Sequence, residues 1–121
     1  MTKQLVVIIE DDPVQADIFS VALEGAGYET IIFLDGENIL TRLADLKPSA
    51  IVLDIMLPKI SGKEILNQLR AEKRYAKIPI VLATAEFGEA EKSMQSKANL
   101  ILLKPISLNV LRDAVTSVIK K

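Results

Sequence analysis

Five short apolar runs recur along the chain at fairly even spacing: Leu5–Ile9, Thr30–Leu34, Ala50–Leu53, Ile80–Ala83 and Leu100–Leu103. Each is four or five residues of mostly Val, Ile and Leu, with no polar residue at every second place. A strand with one wet face alternates apolar with polar residues, whereas an unbroken run suits a strand of a parallel sheet covered on both faces. Parallel strands need long crossover connections, and the segments between the runs have helical period.

Asp12-Pro13-Val14-Gln15 reads as an N-cap, a proline at the first helical position and a glutamine at the third. Val14, Ile18, Val21 and Ala22 then form the expected inward stripe, and Gly25 and Gly27 end the helix. Asp35 is expected to cap a second helix with Ile39, Leu40, Leu43 and Leu46 inward, closed before Pro48. Ser61-Gly62-Lys63-Glu64 opens a third as a capping box, with Ile65, Leu66 and Leu69 buried. Ser107 opens the last, whose stripe is Val110, Leu111, Ala114, Val115, Val118 and Ile119. Between Gly88 and Ser96 only a short, weakly anchored helix is expected. Five strands alternating with five helices predict an α/β fold, a doubly wound five-stranded parallel sheet covered on both faces. The 121 residues are expected to form a single domain with its core at about 4–120.

Composition limits the chemistry. The chain has no cysteine and no histidine, so thiol catalysis, disulfides, His bases and His metal sites are all excluded. A chain without cysteine and without an apolar run of membrane-spanning length is expected to be cytoplasmic, with no membrane partner. The net charge is −1, which offers no footprint for direct nucleic acid binding. Residues 1–54 hold ten acids and three bases, and residues 55–121 hold six acids and twelve bases. The bases Lys59, Lys63, Arg70, Lys73, Arg74 and Lys77 read most simply as a solvated face of the third helix and its following loop.

Ligands of open α/β sheets bind beyond the carboxyl ends of the strands. After the first run come Glu10, Asp11 and Asp12; the third ends in Asp54, the fourth in Thr84 and the fifth in Lys104-Pro105. Asp12 is assigned to capping. Glu10, Asp11 and Asp54 would repel one another unless a cation joined them, and a hard divalent ion such as Mg²⁺ takes oxygen ligands of this kind. Asp54 lies among Ile51, Val52, Leu53, Ile55, Met56 and Leu57, where an incidental acid is costly. Thr84 or Lys104 alone would be unremarkable; at successive strand ends they complete a site. A carboxylate beside a metal, a lysine and a hydroxyl is suited to accepting a phosphoryl group.

The segments Ile9-Glu10-Asp11-Asp12-Pro13, Ile51–Pro58, Ser61-Gly62, Val81–Ala85 and Leu103-Lys104-Pro105 resemble the receiver domains of bacterial two-component response regulators. The resemblance covers essentially the whole chain and implies the strand order 2-1-3-4-5. It implies that Asp54 accepts a phosphoryl group from a phosphohistidine on a sensor histidine kinase or phosphotransfer protein. Asp11 and Asp54 would then bind Mg²⁺, with Glu10 acting through water and the Met56 backbone carbonyl as a further ligand. Thr84 would bond a phosphoryl oxygen and Lys104 would pair with the phosphate. Lys104-Pro105 would be cis, and Gly62 would serve the turn into the third helix. The chain would be a phosphoacceptor rather than an enzyme, signalling to an output partner not present on it.

Two features depart from the family pattern. Ile101 stands where family members usually carry Tyr or Phe, and the Thr84–Lys104 interval is slightly short, with Lys97-Ala98-Asn99 in place of a glycine-containing turn. They motivate an alternative, a phosphorylation-independent interaction module on the same fold. A second alternative is an Mg²⁺-dependent phosphohydrolase working through an aspartyl phosphate. It lacks the second acid two residues after the nucleophile, where Met56 stands, and any cap insertion.

Overall fold

The computed structural model describes residues 3–120. In chain order the elements are β1 (Leu5–Ile9), α1 (Pro13–Gly25), β2 (Glu29–Phe33), α2 (Ile39–Leu43), β3 (Ala50–Asp54), α3 (Gly62–Ala71), β4 (Ile80–Thr84), α4 (Glu89–Met94), β5 (Leu100–Leu103) and α5 (Leu108–Ile119). All five strands are parallel, in the order β2-β1-β3-β4-β5. The doubly wound α/β sheet is therefore as expected, with β2 starting one residue early and β3 and β4 each extended by one to include Asp54 and Thr84.

The unbroken apolar runs have a direct explanation in the two cores. Successive side chains of a strand point to opposite faces. Val7, Ile9, Ile51, Leu53, Ile80 and Leu82 face a core with Ile39 and Leu43 of α2, Ile65, Leu66 and Leu69 of α3, and Met94 of α4. Val6, Ile8, Val52 and Val81 face the other, with Phe19, Ala22 and Leu23 of α1 and Leu111, Val115 and Val118 of α5. Both sets must be apolar because both faces are roofed.

Three helix expectations are corrected. In α1 the buried residues are Ala16, Phe19, Ala22 and Leu23, while Val14, Ile18 and Val21 are 67%, 43% and 63% exposed. This helix carries apolar residues on two faces, and periodicity does not choose between them. Size does: the Phe19 ring fills the core, and the alanines let the helix lie close to the sheet. Asp35 caps no helix. Its carboxylate accepts from Glu37 N–H at 3.0 Å and from Arg42 Nη1 at 2.9 Å, forming a side-chain turn instead. The helix starts only at Ile39, after Asn38 in the left-handed conformation at φ 53°, which Asn tolerates better than most residues. It also ends at Leu43, so Leu46 packs on the core from outside it. In α5, Leu111, Ala114, Val115 and Val118 are buried, but Val110 is exposed and Ile119 only half-buried. The Asp12, Ser61 and Ser107 caps are all formed.

The face assignment of α1 can be tested by urea denaturation. Phe19→Ala is expected to cost about 3–5 kcal/mol. Val21→Ala should stay within about 0.5 kcal/mol; a comparable loss for both would mean that Val21 faces the core.

Candidate functional site

The parallel register brings the carboxyl ends of β1, β3, β4 and β5 to one edge of the sheet. Glu10 and Asp11 follow β1, Asp54 closes β3, Thr84 closes β4 and Lys104 follows β5. Glu10 and Asp54 are buried, the latter only 4% exposed. The Lys104 ammonium stands between them, donating to Glu10 Oε1 and to Asp54 Oδ2, each at 3.0 Å. The remaining oxygens are also engaged: Asp54 Oδ1 accepts from Met56 N–H at 3.0 Å and Glu10 Oε2 from Asp12 N–H at 3.2 Å. These bonds fix both carboxylates.

Asp11 is exposed and completes the cluster, since one oxygen from each of Glu10, Asp11 and Asp54 lies within 4.8 Å of the others. Three carboxylates face a single ammonium, which leaves an excess of acidic over basic groups. A hard divalent cation is the complement of that excess and of an all-oxygen donor set, so the residues present fit Mg²⁺. Burial pushes the Glu10 carboxyl up to about 7, and Asp54 beside it adds to the shift; the Lys104 bond and the Asp12 N–H oppose it without cancelling it. Burial alone would lower the Lys104 pKa, but its bonds to Glu10 and Asp54 outweigh burial and raise it.

Gly62 has a more demanding role than a turn. A Cβ there would lie 2.4 Å from the Asp54 carbonyl oxygen and 2.6 Å from Ile55 Cα, and Gly62 N–H donates to Ile55 O at 2.9 Å. Only glycine lets the start of α3 press against the backbone that carries Asp54. The sequence showed the glycine but not this contact, which joins segments separated by a loop. The loop itself contains Lys59 at φ 68°, whose ammonium pairs with Glu37 at 3.3 Å. A lysine in the left-handed region has no sequence signal.

Thr84 reaches the same edge without joining the ion cluster. Its buried hydroxyl donates to Glu86 O at 2.8 Å and accepts from Glu86 N–H at 3.3 Å, while its carbonyl takes the Lys104 N–H at 2.7 Å. The Met56 side chain is 72% exposed, and it is its backbone that is fixed to Asp54. Lys104-Pro105 is cis, as expected.

A five-stranded parallel sheet of order 2-1-3-4-5 with an acidic cluster and a lysine at its carboxyl edge defines a CheY-like receiver. The chain belongs to the response regulator receiver domain family of two-component signalling, which it matches over residues 6–116. It is similar to the DNA-binding dual master transcriptional regulator RpaA of Synechocystis sp. PCC 6803, with 34% identity over 96% of this chain and 49% of that protein. The chain thus spans about half the length of the curated relatives it matches. Among solved structures it is similar to a sensor protein from Polaromonas sp. JS666, with TM-score 0.91, 26% identity and 98% coverage of each chain. It shares its fold with the receiver domain of sensor histidine kinase PA1611 from Pseudomonas aeruginosa, a structure with magnesium coordinated in its active site cleft (TM-score 0.90, 24% identity, covering 99% of this chain and 100% of that one).

The raised Glu10 pKa fixes a sign for stability. A carboxyl that binds its proton more tightly when folded contributes stability below its ordinary value of 4.5, and that contribution is lost as pH rises through about 7. Without divalent cations, Glu10→Gln should therefore flatten the fall in melting temperature between those pH values. A variant with the same slope as the parent would refute the burial argument.

Proposed function

We propose that residues 4–120 act as one cytoplasmic receiver unit in which Asp54 is the phosphoacceptor. The observation that carries this reading is the Lys104 ammonium held between two buried carboxylates, beside Asp11 and at the mouth of the sheet edge. Asp11 and Asp54 would hold Mg²⁺, with Glu10 acting through water and the Met56 carbonyl as a further ligand. Bound there, the ion would supply positive charge against the oxygens of the transferring phosphoryl group.

The chain's own residues do the positioning. Met56 N–H and Lys104 orient the Asp54 carboxylate towards an incoming phosphohistidine of a histidine kinase or phosphotransfer protein. An Asp54 oxygen forms the new P–O bond as the P–N bond breaks, and the electron pair leaves with the donor's ring nitrogen. Lys104 then pairs with the phosphoryl oxygens. For Thr84 to donate to the same group, its hydroxyl must release Glu86. Ile101 takes the place of the usual aromatic, so a ring rotation at that position has no part in the response. The output is a changed interaction with another protein or segment. The chain catalyses nothing on a separate substrate: Met56 is not the second acid that a phosphohydrolase of this chemistry uses.

The relatives' DNA-binding function is not assigned to these residues, whose net charge is −1. The exposed stripe of α1 has a use in this reading. Asp17, Ile18 and Val21, with Leu108 at the start of α5, line a depression of about 220 Å³, and Val14 is exposed on the same helix. The helix that carries the stripe starts directly after Asp11 and Asp12, so a donor protein reaching Asp54 would cover it.

Incubation with acetyl phosphate and Mg²⁺ should add one phosphoryl group by intact-mass measurement, and Asp54→Asn or chelation should abolish it. No mass increase under these conditions would remove the reading. Ile18→Asp should leave labelling by acetyl phosphate unchanged while slowing transfer from the cognate phosphohistidine donor about tenfold. Equal rates from the donor would separate the α1 stripe from donor docking.

A further inference from the structure

The basic side chains of the α3–β4 segment find no counter-ions in the fold. Arg42, Lys59, Lys92 and Lys104 each pair with a carboxylate. Among the described residues Arg70, Lys73, Arg74, Lys77 and Lys97 pair with none. Arg70 is half-buried, and each nitrogen of its guanidinium donates, but only to neutral groups. It binds the carbonyls of Tyr75, Ala76, Ile78 and Lys97 and the Asn99 side-chain oxygen at 2.7–3.2 Å. Those bonds staple the C-terminus of α3 to the α4–β5 turn and leave its positive charge unneutralised. Lys97 similarly donates to Asn67 Oδ1 at 2.6 Å, and Lys77 is exposed.

Arg70, Lys77 and Lys97, with Ala76, Ser96 and Ala98, line a groove of about 500 Å³. It lies where β4 and β5 begin, at the opposite pole of the sheet from Asp54. We propose that this groove docks an acidic, partly apolar peptide segment of a partner protein. Its cations attract carboxylates, and Ala76 and Ala98 give the walls between them apolar patches for neighbouring side chains. A nucleic acid strand fits less well. The guanidinium edge of Arg70 is already taken by carbonyls and cannot fork a phosphate. The groove offers no exposed aromatic for base stacking, since Tyr75 beside it is buried. The docking is independent of the phosphoacceptor reading, because none of its residues belongs to the Asp54 site.

The test is a titration of the ¹⁵N-labelled full chain with a short peptide alternating Glu and Leu, alongside an oligothymidylate of equal charge. The peptide should give saturable shifts at Lys77, Lys97, Ala98 and Asn99 that weaken with salt. Lys77→Glu/Lys97→Glu should lower its affinity at least about tenfold, and Lys77→Gln/Lys97→Gln should fall between. The Gln pair keeps the test informative if charge reversal lowers the melting temperature. Absence of saturable shifts at these residues, unchanged affinity in the Gln pair, or tighter binding of the oligonucleotide would each overturn the proposal.

Discussion

The Lys104 ammonium is the single interaction on which the rest of the functional edge depends. It reaches from the end of β5 past β4 to carboxylates on β3 and β1, so one cation ties three strands together. Buried carboxylates of like charge repel strongly when unshielded, and removing one member of such a group leaves another uncompensated. The ammonium offsets only part of that charge. Burial is the main cause of the raised Glu10 pKa and Asp54 adds to it, so the edge is held together but still short of positive charge. That condition suits the phosphoryl acceptor proposed for Asp54. Full internal neutralisation would leave nothing for a cation, and no lysine would leave carboxylates that protonate or move apart.

The parallel sheet makes this possible. Its strand order was implied by the family resemblance, whereas its two covered faces were legible from the five apolar runs. Their lack of alternation required two roofed faces, and the alternation reappears in three dimensions as two separate cores. Glu10, Asp11, Asp54 and Lys104 were readable because each directly follows or closes a run, so their convergence follows from parallel pairing. Contacts between segments that are distant along the chain were not readable. The approach of Gly62 to the Asp54 carbonyl, the bonds from Thr84 to Glu86 and the five bonds of Arg70 depend on how loops return across the sheet ends. Local chemistry does not specify those returns.

The error in α1 has a physical lesson of its own. Two helical stripes compete in that segment, Ala16, Phe19, Ala22 and Leu23 on one side and the β-branched Val14, Ile18 and Val21 on the other. Hydrophobicity favours the second as core, yet the sheet selects the first, because alanines allow close approach and one ring fills the gap. The more hydrophobic stripe is left in water, at a cost that monomer stability does not repay. Val14, Ile18 and Val21 are left as exposed apolar surface, so the misreading and the proposed donor face concern the same residues.

The helix α3 connects two chemically different poles. At its first residue the absence of a side chain lets the backbone press on Asp54; at Arg70 near its end a guanidinium gathers the α3–β4 and α4–β5 turns. The same staple holds the Lys97-Ala98-Asn99 connection where a glycine turn would be usual, since Asn99 Oδ1 accepts from both Arg70 Nη2 and Ile80 N–H. The opposite end of α4 lies on the Asp54 side of the sheet and is held by different bonds. There Thr84 holds Glu86, and Glu91 accepts the Gly88 N–H at 2.6 Å. The Lys97-Ala98-Asn99 departure from the family pattern is therefore a turn fixed by hydrogen bonds, and it forms one wall of the basic groove.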